Sequence, residues 1–151
     1  MGIYEIIQNA TKIIQEKAPN FVPKVGLILG SGSGPLADKV ENPVEISYEA
    51  LQGYPRSTVP GHSGSLILGI LGGVPVACLK GRVHLYENAS GEGVKILIRT
   101  LKHLGCHTLV STNAVGSLRA DVGPGACFFT TDHINFMHTN PYANPLDRHP
   151  R

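Results

Sequence analysis

Arg82, His84 and Tyr86 alternate along the stretch Gly81-Arg82-Val83-His84-Leu85-Tyr86-Glu87. In an extended segment, residues two apart share a face, so a guanidinium, an imidazole and a phenol point the same way. Arginine offers a planar, bidentate fork for a phosphate and histidine adds a donor. Tyrosine can bond a sugar hydroxyl while its ring packs on the sugar. An exposed edge strand with a solvated alternating face would show the same pattern, and this stretch by itself does not separate the two readings.

Three further segments carry groups of similar kind. Gly30-Ser31-Gly32-Ser33-Gly34-Pro35 follows directly on the apolar run Val25 to Leu29. Free backbone N–H groups and two hydroxyls at the end of a strand can cradle an anion, although a plain tight turn looks the same in sequence. The loop lacks the GK[ST] ending of a P-loop, and Pro35 stands where a dinucleotide fingerprint needs a spacer before its third glycine. Pro60-Gly61-His62-Ser63-Gly64 sets a histidine in a glycine-lined loop, a position more often occupied by a surface residue than by a catalyst. Asn113-Ala114-Val115-Gly116 ends an apolar run with small residues whose amides are open to a ligand, or else makes a turn.

The remaining histidines read as structural. His103 and His107 flank Gly105 at a helix end, where imidazoles meet free carbonyls. Asp132 and His133 are adjacent, so on a strand they face opposite ways, and a structural role at a strand end is expected. No metal-ligand spacing stands out, so no metal is expected.

Elements to position these groups are legible. Ile3, Ile6, Ile7, Ala10, Ile13 and Ile14 recur at helical spacing and Pro19 bars continuation, which predicts an amphipathic opening helix laid on a sheet. Val25 to Leu29 reads as a buried strand. Leu66 to Leu71 and Val74 to Leu79, separated by Gly72-Gly73, read as an antiparallel hairpin. Val94, Leu97, Ile98, Leu101 and Leu104 form an apolar stripe, with Ser90 as the N-cap and Gly105 as the stop. Thr108 to Thr112 and Phe128 to Thr131 read as further strands. Beyond Asp132 periodicity ceases, and a loop-like tail of this length suggests a longer protein interrupted at Arg151. Strands interleaved with helices imply an α/β fold with a mixed central sheet flanked by helices, its chemistry in loops at strand ends.

The bulk properties agree. With 151 residues, 42% hydrophobic and 16% charged, the chain can bury the core of one globular domain. Net charge is +2 and the cations are scattered, so no footprint for nucleic acid is present. Cys78, Cys106 and Cys127 lie in or beside apolar stretches without CxxC spacing, which reads as buried, reduced thiols in the cytoplasm. Glu5, Lys12, Glu16 and Lys17 interrupt the first apolar run, so neither a signal peptide nor a membrane span fits.

Taken in order, these segments resemble the trimeric class of purine nucleoside phosphorylases, which prefers 6-oxopurine nucleosides such as inosine and guanosine. The resemblance is carried by LGSGSG at 29 to 34, YPRSTVPGHSG at 54 to 64, GRVHLYE at 81 to 87, STNAVGSL at 111 to 118 and DHIN at 132 to 135. It implies Ser31, His62, Arg82 and His84 as phosphate ligands, with the backbone N–H of Ala114 closing that site. It implies Tyr86 at a ribose hydroxyl, and Glu87 orienting the phosphate-site histidine and favouring its charged form. Asn113 and Gly116 support the Ala114 loop, and Arg82, His84 and His62 are the residues expected to carry catalysis.

The implied reaction is phosphate-dependent cleavage of purine (deoxy)ribonucleosides to free base and (deoxy)ribose 1-phosphate, in purine salvage. Inorganic phosphate is co-substrate, no other cofactor is implied, and a homotrimer is the implied assembly. The chain ends about halfway through the family pattern. Residues 1 to 151 therefore read as a single partial α/β domain carrying the phosphate- and ribose-binding part, with the purine-recognising residues in the missing part. Two other readings stand beside this one: an inactive phosphate-binding or assembly module of the same family, and, at greater distance, a methylthioadenosine phosphorylase or a dinucleotide-binding oxidoreductase domain. Half of a family sheet is also expected to expose an edge and an apolar face, and so to self-associate.

Overall fold

Isoleucines at helical spacing place one apolar face on the opening helix, α1 (Ile3–Lys17), which buries Ile7, Ala10, Thr11 and Ile14 and stops before Pro19. The computed structural model describes residues 1–55, 64–81, 91–136, 140 and 142. After α1 come β1 (Val25–Leu29), a single helical turn α2 (Gly34–Ala37), β2 (Glu41–Ser47), a 3-10 turn (Tyr48–Ala50), β3 (Ser65–Leu71), β4 (Val74–Lys80), α3 (Glu92–His103) and β5 (Thr108–Ser111). The strands form one mixed sheet in the order β2-β3-β4-β1-β5. β1 lies parallel to both β4 and β5, whereas β3 is antiparallel to β2 and to β4.

Period-two alternation divides the core between the faces of this sheet. Leu66 and Leu68 of β3 and Ala77 and Leu79 of β4 pack with α1 and α3 through Ile7, Ile14, Leu97 and Leu101. The intervening Ile67, Val76 and Cys78 face the other way and join Leu27, Leu29, Ala37 and Val40. The β3–β4 hairpin turns at Gly72 and Gly73, whose φ angles of 57° and 78° lie in the left-handed region that side chains resist.

The helix, the first strand, the hairpin and β5 follow the sequence expectation, with corrections elsewhere. α3 starts after Gly91, which occupies the N-cap with no side-chain cap bond; Ser90, the expected cap, lies outside the described residues. Its buried stripe is Gly93, Ile96, Leu97, Thr100 and Leu101, rotated away from Val94 and Ile98, which are only half-buried. Thr100 tolerates burial because its hydroxyl donates to the Ile96 carbonyl one turn back at 2.8 Å.

Phe128 to Thr131 forms no strand. It lies in an exposed irregular run, and among the described residues no strand pairs with it. Asp132 and His133 accordingly end no strand; the His133 N–H donates to the Asp132 carboxylate at 2.8 Å. Cys78 and Cys106 are buried as expected, but Cys127 is exposed in the same irregular run. His103 stands edge-on to the Tyr4 ring, and His107 meets the Thr108 hydroxyl through Nδ1 at 3.0 Å. Among the described residues no helix is long and apolar enough to cross a membrane.

Candidate active site

Because β1, β4 and β5 are parallel neighbours, their carboxyl ends share one edge of the sheet. Leu29 stands opposite Lys80, and Ile28 opposite Ser111. The chain leaves these ends through Gly30, Gly81 and Thr112. β3 runs antiparallel to β4 and begins at the same edge, Ser65 opposite Lys80, which brings Gly64 there as well. Four of the five segments singled out in the sequence thus reach one edge through described residues: the glycine loop, the segment ending at Gly64, the segment beginning at Gly81, and the loop after Ser111.

Of the expected site residues, Ser31, Asn113, Ala114 and Gly116 are described, and all four are exposed to solvent. His62, Arg82, His84, Tyr86 and Glu87 lie outside the described residues. Two residues passed over in the sequence hold this edge together. Thr112 accepts a hydrogen bond from the Gly30 N–H at 2.9 Å and donates its own hydroxyl proton to the Ile28 carbonyl at 3.3 Å. Gly30 is buried against it so closely that a Cβ would meet the Thr112 carbonyl oxygen at 2.1 Å, which makes glycine obligatory there.

The second is Tyr48. Its backbone N–H donates to the Gly64 carbonyl at 2.9 Å and its hydroxyl to the Gly81 carbonyl at 3.3 Å. Tyr48 is buried, its ring edge-on to Tyr54 at 5.0 Å. Burial, and secondarily the neighbouring Tyr54, raise its pKa well above the ordinary phenol value, so the hydroxyl stays protonated and remains a donor. Thr112 lies within the quoted segment STNAVGSL and Tyr48 lies outside all of the quoted segments, and for both only long-range pairing shows what the residue grips.

Among the described residues, local charge at this edge is modest. Lys80, at the end of β4, pairs with Asp38 at 3.8 Å, and both side chains are solvent-exposed, so the pair contributes little to stability. Backbone amides and hydroxyls therefore dominate the described part of the site, an arrangement able to bind a small anion. Among the described residues, no group of three or more His, Cys, Asp or Glu side chains is placed to hold a metal ion.

Residues 24 to 151 match the family model described as the phosphorylase superfamily. The chain belongs to the phosphorylase superfamily. Among curated relatives, it is 48% identical to purine nucleoside phosphorylase 1 of Bacillus subtilis over 139 residues, covering 92% of this chain and 51% of that protein. Purine nucleoside phosphorylase 1 of Geobacillus stearothermophilus is 42% identical over 141 residues, again covering 51% of its own length. The chain thus spans about half the length of these relatives.

Solved structures agree on the superfamily fold. A purine nucleoside phosphorylase crystallised with ribose-1-phosphate superposes with a TM-score of 0.72 at 39% identity, over 79% of this chain and 43% of that one. The enzyme from Schistosoma mansoni in complex with inosine gives 0.71 at 38% identity, over 79% and 41% of the two chains. The mixed sheet flanked by helices expected from the sequence is therefore the fold of this superfamily.

Proposed function

We propose that residues 1 to 151 carry the phosphate- and ribose-binding part of a purine nucleoside phosphorylase. The observation that carries this reading is the convergence of the glycine loop, Gly64, Gly81 and the loop after Ser111 on one sheet edge. Ser31, His62, Arg82 and His84, with the Ala114 N–H, hold phosphate against the anomeric carbon of the sugar. Tyr86 reaches a ribose hydroxyl, Glu87 orients the histidine, and Asn113 and Gly116 shape the Ala114 loop.

The reaction is displacement of the purine by phosphate. As the C–N bond breaks, the sugar becomes cation-like, and the fixed negative charge of phosphate stabilises it. Phosphate oxygen then bonds to the anomeric carbon, and the bond electrons leave with the purine, whose protonation is assisted by groups outside these residues. The substrates are inosine-like or guanosine-like nucleosides and inorganic phosphate, which needs no further cofactor once it is desolvated and aimed. A homotrimer in the cytoplasm, serving purine salvage, completes the reading.

A second reading has its own observation. The chain spans about half of its relatives' length and exposes Leu118, Phe129, Ile134 and Phe136, as an assembly module or inactive phosphate binder would. Incubating the folded chain with inosine, with and without inorganic phosphate, separates the two. Hypoxanthine and ribose 1-phosphate released only with phosphate support the enzyme. Phosphate-independent release contradicts phosphorolysis, and no release from a folded sample favours the module.

A further inference from the structure

Thr112 sits between two loops of the proposed phosphate site and is not among the residues assigned to the anion. Its backbone N–H donates to the Ile28 carbonyl at 2.9 Å, continuing the β1–β5 pairing one residue past β5. Its hydroxyl accepts from the Gly30 N–H at 2.9 Å and gives its proton to the same Ile28 carbonyl at 3.3 Å. With donor and acceptor both engaged, the hydroxyl has one orientation, and the Gly30 N–H, on a buried residue, has its partner. One residue beyond Gly30 is Ser31, and two beyond Thr112 is Ala114.

We infer that Thr112 is a positioning residue, whose hydroxyl locks the Ser31 loop to the Ala114 loop and so fixes the spacing of the two groups offered to phosphate. The inference rests on the phosphate reading given above and adds a residue to it. An anion bound by several fixed donors loses affinity steeply when one of them moves by a fraction of an ångström. A side-chain hydroxyl at this position supplies the paired hydrogen bonds, and threonine's β-branch adds a preference for extended backbone. The closeness of Gly30 to the Thr112 carbonyl means that neither loop can shift without moving the other.

The test uses Thr112→Val, which keeps shape and strand preference but removes the hydroxyl, and Thr112→Ser, which restores it. Amide exchange at Gly30 reads the hydrogen bond, and titration with inorganic phosphate, followed at the Ser31 and Ala114 amides, reads the site. The expected result is faster Gly30 exchange and roughly tenfold weaker phosphate binding in Thr112→Val, both recovered in Thr112→Ser, with the thermal transition still cooperative. Unchanged phosphate affinity in a folded Thr112→Val overturns the positioning role.

If Thr112→Val does not fold, the unsubstituted chain still decides. Coupling is reciprocal, so saturating phosphate must slow exchange at Gly30, and exchange that ignores phosphate overturns the inference. Absence of phosphate binding in the unsubstituted chain, with Gly30 protected as described, instead overturns the phosphate reading while leaving the hydrogen bond in place.

Discussion

Three cysteines occupy two kinds of environment. Cys78 has no exposure, between β1 and β3 in the sheet, and burial pushes its thiol up from near 9 to about 11. Cys106 is raised to about 11 for the same reason, opposed in part by a backbone hydrogen bond. Cys127 is exposed. Since the thiolate is the nucleophile, alkylation of the native chain near pH 8 should label Cys127 first, with Cys78 and Cys106 reacting only as the chain unfolds. Peptide mapping after a short iodoacetamide pulse checks this, and rapid native labelling of Cys78 would contradict it. The raised values also have a sign for stability. Below pH 9 both thiols are protonated folded or unfolded, whereas between about 9 and 11 the unfolded chain ionises first, so stability falls with rising pH in that window.

At the scale of elements, α1 is held by side chains rather than by its cap, since Gly2 at the N-cap makes no side-chain bond. Ile7 and Ile14 are fully buried on the sheet, whereas Ile13 is only partly so. Ile14→Ala should therefore cost about 2–5 kcal/mol of unfolding free energy, and Ile13→Ala distinctly less, as read by urea denaturation. Equal losses would mean that the helix face is wrongly placed.

Elements of this kind were legible in the sequence because burial on one face writes a period. α1 carries that period undisturbed, whereas the β3–β4 hairpin, buried on both faces, shows as two continuous apolar runs split by Gly72-Gly73. β2 is harder to read: Glu41–Ser47 is an edge strand with Pro43 at a register irregularity and only Ile46 buried, so its alternation is confined to Val44 through Ser47. Phe128 to Thr131 has the composition of a strand, but composition does not provide a neighbour. The α3 stripe was misread by a fraction of a turn because Thr100, polar in sequence, is buried through its bond to Ile96. The site divided in the same way. Ser31 and Ala114 lie in recognisable local motifs, whereas Thr112 and Tyr48 act through partners 82 and 33 residues away.

For the whole molecule, the topology explains why one edge gathers the candidate chemistry. Parallel β1, β4 and β5 send their carboxyl-terminal loops to the same side, and antiparallel β3 delivers Gly64 to it, a placement common to ligand sites in α/β sheets. The opposite feature is the irregular segment that follows β5, where the Leu118 and Phe129 side chains stand exposed. Among the described residues β5 is the last strand of the sheet on that side, and together with these exposed side chains it offers a surface suited to association with further polypeptide.

The central claim is that this edge binds phosphate, and titration of the folded chain with inorganic phosphate, observed at individual backbone amides, tests it most directly. The account predicts saturable shifts at Ser31, Asn113 and Ala114, weakened by Arg82→Ala without loss of the fold. Amides at this edge that ignore phosphate, or respond no more than those of α1, would contradict it.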